Sequence, residues 1–159
     1  MMFGMDFEQV KGLISTKPNF EEKRGNDEAY LMYTTMINNK KMDAIIYFEN
    51  KKIDNFRVRV DTYVAGSEQR CKKDYLSIYE SVRGKYGKPV IEPAKTGFAG
   101  LYFFSAYFSF SNNRHIEVMG SYESSRSRCF QNVMYKNVPI DQKTIAEFTG
   151  KKHASQDTF

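Results

Sequence analysis

The run Thr96–Ser111, TGFAGLYFFSAYFSFS, constrains this chain more than any other stretch. Taken alternately, Phe98, Tyr102, Phe104, Phe108 and Phe110 fall on one side, while the other side holds Leu101, Phe103 and Tyr107 among small and hydroxyl residues. Period two with aromatics gathered on one side predicts one long strand laid over a core. With 13 Phe and 11 Tyr in 159 residues, the chain has enough apolar material to build that core in a single domain, which excludes disorder for its middle.

The remaining segments read as cover or partners for this strand. Asp6 is placed to cap a first helix, Gln9 to complete the capping box, and Phe7, Val10 and Ile14 recur at helical spacing until Lys17-Pro18 ends it. Asn19–Asp27 reads as a charged loop. Three strands follow: Ala29–Ile37, then Met42–Phe48, then a third in which Phe56, Val58 and Val60 alternate with Arg57, Arg59 and Asp61. Asn38–Lys41 and Glu49–Lys52 are the turns between them. Gly66-Ser67 leads into the longest helix, Glu68–Tyr86. Cys71, Tyr75, Ile78, Tyr79, Val82 and Tyr86 form its apolar stripe, Gly87 caps it, and Pro89 prevents resumption. After a loop through Pro93 come three more strands: the aromatic run, Ile116–Tyr122, and Arg128–Lys136. A short helix over 140–150 has Asp141 as its cap and Ile140 set to pack on Ile145, and 151–159 reads as a tail.

Shifted by 74 residues the plan repeats: Asn38-Asn39-Lys40 falls on Asn112-Asn113-Arg114, and Phe48-Glu49 on Tyr122-Glu123. The halves are 4–64 and 67–136. The expected fold class is therefore α+β, one domain over 1–159. Two helix-plus-three-strand units form an antiparallel sheet of about six strands, or two abutting three-stranded sheets, covered by the helices, with a short C-terminal helix added. Short hairpin connections exclude a parallel, doubly wound sheet.

Net charge is +5, and the excess sits in residues 51–100, which carry eleven Lys/Arg against six Asp/Glu. A basic middle suits an acidic partner, whether nucleic acid, anionic lipid or an acidic protein surface. The candidate binding residues are Lys51, Lys52, Arg57 and Arg59, at a turn and on the outward side of the third strand. The competing reading of the same residues is a charged strand that keeps a sheet edge from pairing with other chains. Cys71 and Cys129 form no C-x-x-C pair, so no metal site is expected. They are either two buried thiols in a reducing compartment or one disulfide outside it.

Chemistry is sparse. His115 lies in a strand and His153 in the tail, neither in a metal spacing nor beside a nucleophile, and His115 reads as a surface residue. No phosphate-binding loop, dinucleotide fingerprint or zinc-protease motif occurs. No catalytic residue, cofactor or metal is assigned, and the chain is expected not to be an enzyme. Thr96–Phe103 partly matches the signature strand of RNA-recognition motifs, but it lacks the leading basic residue, the β-α-β-β-α-β order is missing, and its aromatics are expected to face the helices.

Gly4-Met5-Asp6-Phe7-Glu8-Gln9-Val10 resembles the Gly-Met-(Thr/Ser)-x-Glu-Gln-Val opening of small lipoproteins of the bacterial outer-membrane β-barrel assembly machine, the SmpA/OmlA type. The helix-then-meander plan is similar to β-lactamase-inhibitor-protein-like modules. No lipidated cysteine precedes the helix, and Lys17-Pro18 departs from the lipoprotein pattern. The resemblance implies a non-catalytic protein-binding module of the bacterial periplasm or secreted fraction, and with it a Cys71–Cys129 disulfide. Met1–Asp6 has no basic segment followed by an apolar one, so on that reading any signal peptide has been removed. The alternative is a cytoplasmic basic domain binding nucleic acid or another anionic partner through residues 51–73. No run is apolar enough to span a bilayer.

Overall fold

The computed structural model of the chain describes residues 6–13, 20–24, 28–37, 40–49, 52–111 and 113–154. Ile14, Lys17-Pro18, the Asn38-Asn39 turn, Lys51 and the last five residues lie outside them. Eight antiparallel strands form one sheet: β1 (Phe20–Arg24), β2 (Glu28–Ile37), β3 (Lys40–Glu49), β4 (Lys52–Val64), β5 (Ile91–Phe98), β6 (Leu101–Ser111), β7 (Arg114–Glu123) and β8 (Arg128–Lys136). Their order is β1-β2-β3-β4-β8-β7-β6-β5. Each half is a four-stranded meander, and the halves join where β4 pairs with β8. The bounds of β7 are those of β3 moved by 74 residues.

This overturns the expected fold class. The protein is one large antiparallel sheet with few helices, and helices do not cover it unit by unit. Two strands were hidden. β1 reads FEEKR and β5 reads IEPAKTGF, and both are edge strands without clean alternation. An edge strand is paired on one side only, so it tolerates charge, Pro93 and Gly97 where a central strand would not. The aromatic run is also not one strand. Ala99 (φ 50°) and Gly100 (φ 81°) fold it into the β5–β6 hairpin. Two consecutive positive-φ residues are what a tight hairpin demands. Gly100 is needed for space as well, since a Cβ there would sit 2.7 Å from Ser124 Oγ. Phe104 and Phe108 are buried, as their alternation predicts, but Phe98 points to the opposite side and is 83% exposed.

The helices divide between the two faces. α1 (Phe7–Leu13) opens with the expected reciprocal cap: the Gln9 N–H donates to Asp6 Oδ1 at 2.8 Å and the Asp6 N–H to Gln9 Oε1 at 3.0 Å. It buries Val10 against Leu31, Ile46, Phe48 and Ile53. α2 (Glu68–Tyr86) has the predicted bounds, with Ser67 Oγ accepting from the Arg70 N–H and Gly87 (φ 82°) closing it. It buries Cys71, Tyr75, Tyr79 and Val82 on Phe104, Phe108, Ile116 and Val118, on the same side of the sheet as α1. Burying four such side chains is worth on the order of 1.5–3 kcal/mol each. The Tyr75 hydroxyl donates to the Val118 carbonyl at 3.0 Å, and Gly120 admits its ring to the sheet. Cys71 and Cys129 form a disulfide joining α2 to β8. α3 (Gln142–Ala154) starts at the Asp141 cap as expected but runs through Gly150 into the predicted tail. It packs on the other side of the sheet, at the β5 edge, where Ile145 and Phe148 meet Ile91, Tyr107 and Ile140.

Candidate functional site

Among the described residues, α3 at the β5 edge is the one helix on the face opposite α1 and α2, and the composition of that face follows from strand register. Directly paired residues of antiparallel strands share a face. Along one row, Met32 pairs with Ile45, Ile45 with Arg57, and Arg57 with Met134. Met134 then pairs with Glu117, and Glu117 with Tyr107 beneath α3. The row on one side holds Tyr30, Tyr47, Asn55 and Lys136, and the row on the other holds Thr34, Asp43, Arg59 and Asn132. Over β2, β3 and β4 this face forms a shallow depression of about 780 Å³, lined by Glu28, Tyr30, Met32, Ile45, Tyr47 and Arg59.

Two of the four candidate binding residues stand on this face: Arg59 lines the depression, and Arg57 is beside it on β4, paired with Ile45. β4 pairs with β3 on one side and β8 on the other, so Arg57 and Arg59 stand in the middle of the sheet. The reading of these arginines as edge protection fails for that reason. Arg57 lays its guanidinium 5.6 Å from the Tyr47 ring centroid and places Nη2 3.5 Å from Met134 Sδ. Among the described residues no carboxylate pairs with it, and its buried Nε has no hydrogen-bond partner. Arg59 approaches Asp43 at 3.9 Å, a carboxylate that already accepts from Thr34 Oγ1 at 2.9 Å. The Arg59 Nε and the Asn132 Oδ1 beside it are also buried without partners. A half-buried guanidinium lacking a counter-ion is costly, and its planar donor fork suits an incoming carboxylate. Lys52 is exposed at the far end of β4, opposite Glu49, and its backbone bridges to Asp6. Lys51 lies outside the described residues. Arg70, Lys72 and Lys73 belong to α2, on the other side of the sheet. The described basic residues of 52–73 therefore form no single patch.

A second polar cluster lies where this face runs under α3. His115 was expected at the surface but is only 4% exposed. Its Nδ1 is 2.6 Å from the Val138 carbonyl and its Nε2 is 3.0 Å from Glu117 Oε1. Only the doubly protonated ring donates to both acceptors. Lys136 Nζ reaches the same Glu117 oxygen at 2.9 Å. Burial pushes the Glu117 carboxyl up, but the hydrogen bonds from His115 and Lys136 and their charges outweigh it and hold the group below the usual carboxylate range. Burial, with Glu117 and Glu147 nearby, pushes the Tyr107 phenol up to about 12. The shared parity of His115 and Glu117 was legible in sequence. Their burial was not, because Val138 and α3 come from elsewhere in the chain.

Among the described residues no cluster of three or more His, Cys, Asp or Glu side chains is placed to hold a metal ion, and no helix is long and apolar enough to cross a membrane. No protein family, no curated protein and no solved structure matches this chain.

Proposed function

We propose that this protein is a non-catalytic module that binds another protein through the open face of its sheet, in the periplasm or outside the cell. The observation that carries the reading is Arg57, a half-buried cation with no carboxylate partner among the described residues, set among Tyr47, Met134 and Ile45 at the centre of that face. Tyr, Met and Arg are the residues enriched at protein interfaces, and Tyr and Arg dominate their hot spots. The partner's contribution at Arg57 and Arg59 is an acidic side chain, which supplies the missing counter-charge. The Cys71–Cys129 disulfide fits an oxidising compartment.

The test is photo-crosslinking in the native compartment. A photoreactive residue replaces Tyr30 on the open face in one variant and Ser81 on the exposed side of α2 in another. A discrete protein adduct from position 30, absent from position 81 and lost with Arg57→Ala, is the expected result. A lack of adducts from position 30, or the same adducts from both positions, refutes the reading. So does tight DNA or RNA binding that weakens steeply with salt and depends on Arg57, since that is the behaviour of a phosphate-binding surface.

A further inference from the structure

The depression on the open face is charged at both ends, and the two ends differ in sign. Arg59 lines one end, with Arg57 beside it, and Glu28 and Glu49 line the other. Glu28 and Glu49 stand directly opposite each other in the β2–β3 register, and both are exposed. Like charges placed so are unfavourable. Among the described residues neither carboxylate makes an ion pair, although Lys52 stands opposite Glu49 on β4. Between the ends lie Met32, Ile45, Tyr30 and Tyr47, the two tyrosine rings 6.5 Å apart. Asp43, opposite Arg59, and Glu49 lie on one strand, and their separation along it puts the ends about 20 Å apart. The floor is β2, β3 and β4, about 10 Å from the first of these strands to the third.

These dimensions and charges fit one kind of partner segment. An α-helix with its side chains is about 10–12 Å across and rises about 1.5 Å per residue, so about 13 residues span the depression. An extended segment fits less well. Its backbone N–H and C=O groups need partners once buried, and β2, β3 and β4 are each paired on both sides and offer none. A helix satisfies its own. Acidic residues near a helix N-terminus and basic residues near its C-terminus also offset the helix dipole. We infer that the segment this face receives is an amphipathic helix of about 13 residues, with an acidic first turn over Arg57 and Arg59 and a basic last turn over Glu28 and Glu49. The assignment rests on the reading of this face as a protein-binding surface. So oriented, the helix runs in the direction of β3, and its apolar stripe covers Met32, Ile45 and Tyr47. Its two charged turns supply the counter-charges that Arg57 at one end, and Glu28 and Glu49 at the other, lack within the described chain.

The experiment places a photoreactive residue at Tyr30, next to the acidic end, or at Thr34, in the row of Asp43 and Arg59, and maps each adducted partner residue by mass spectrometry. The two positions are about 13 Å apart along β2. The expected adducts fall in one segment of one protein, about nine residues apart as a helix requires. Acidic residues flank the adduct from position 34, and basic residues flank the adduct from position 30, on its C-terminal side. A synthetic peptide of that segment binds the purified chain, followed by fluorescence anisotropy. Glu28→Lys/Glu49→Lys weakens this binding by about tenfold or more, and changing the peptide's basic residues to Glu restores it. Both carboxylates are exposed, so the charge reversal leaves the fold intact, which far-UV circular dichroism checks. Adducts about four residues apart belong to an extended segment and overturn the helix. Adducts in unconnected segments, acid and base in the reverse order, or a peptide indifferent to Glu28→Lys/Glu49→Lys overturn it too. All of these outcomes leave the protein-binding reading standing. Adducts to a second copy of this chain, or none from position 30, overturn that reading and the helix with it.

Discussion

Removing the disulfide tests how this sheet is held together. Cys71 and Cys129 are separated by 58 positions, and the loop they close contains most of α2 and all of β5, β6 and β7. In the chain-entropy account, closing a loop of this size removes about 14 cal/mol/K from the unfolded ensemble, or about 4 kcal/mol at 25 °C. The native state loses little when both cysteines become alanine. Gln131 Nε2 gives up Cys129 Sγ at 3.0 Å but keeps the Cys71 carbonyl at 3.1 Å. The double variant Cys71→Ala/Cys129→Ala is therefore expected to be less stable than the oxidised protein by about 3–5 kcal/mol. Equilibrium urea unfolding followed by far-UV circular dichroism measures this. With an m-value of about 2 kcal/mol/M, the midpoint falls by about 2 M. The m-value itself rises, because the unlinked chain expands further when unfolded. A loss below about 1 kcal/mol refutes the reasoning, since residual structure would then already hold the loop ends together in the unfolded chain. Independently, Cys71 and Cys129 of protein from its native compartment should resist alkylation in denaturant until a reductant is added.

Gly120→Val should destabilise the fold by about 1–3 kcal/mol in the same assay, because a Cβ there meets Gln131 Oε1 at 2.7 Å and the Tyr75 ring at 3.0 Å. Tyr75→Phe removes the hydrogen bond to the Val118 carbonyl while keeping the ring against Phe104, and should cost about 0.5–1.5 kcal/mol. Glu117 has a folded-state pKa below its unfolded value, so its stabilising contribution is full above the unfolded carboxylate range and is lost as pH falls through the folded pKa. Urea midpoints across the acid range should accordingly drop less steeply for Glu117→Gln than for the parent, and identical slopes would show that Glu117 carries none of the acid sensitivity.

Local chemistry was legible in the sequence wherever neighbours in the chain decide the outcome. The Asp6–Gln9 capping box, both ends of α2, the Asp141 cap and the alternation of β4 all rest on interactions within a few residues. β1 and β5 were missed because an edge strand is defined by the neighbour it pairs with, and FEEKR shows no sign of its partner β2. The Ala99-Gly100 turn was masked by apolar residues on both sides of it. The candidate site divides the same way. Which arginines share a face of β4 follows from period two. That β4 is central, that Arg57 lacks a counter-ion, and that His115 is enclosed by Val138 were decided only when β4 met β8 and α3 folded back over β5. Those contacts join residues more than twenty positions apart, and no local pattern encodes them.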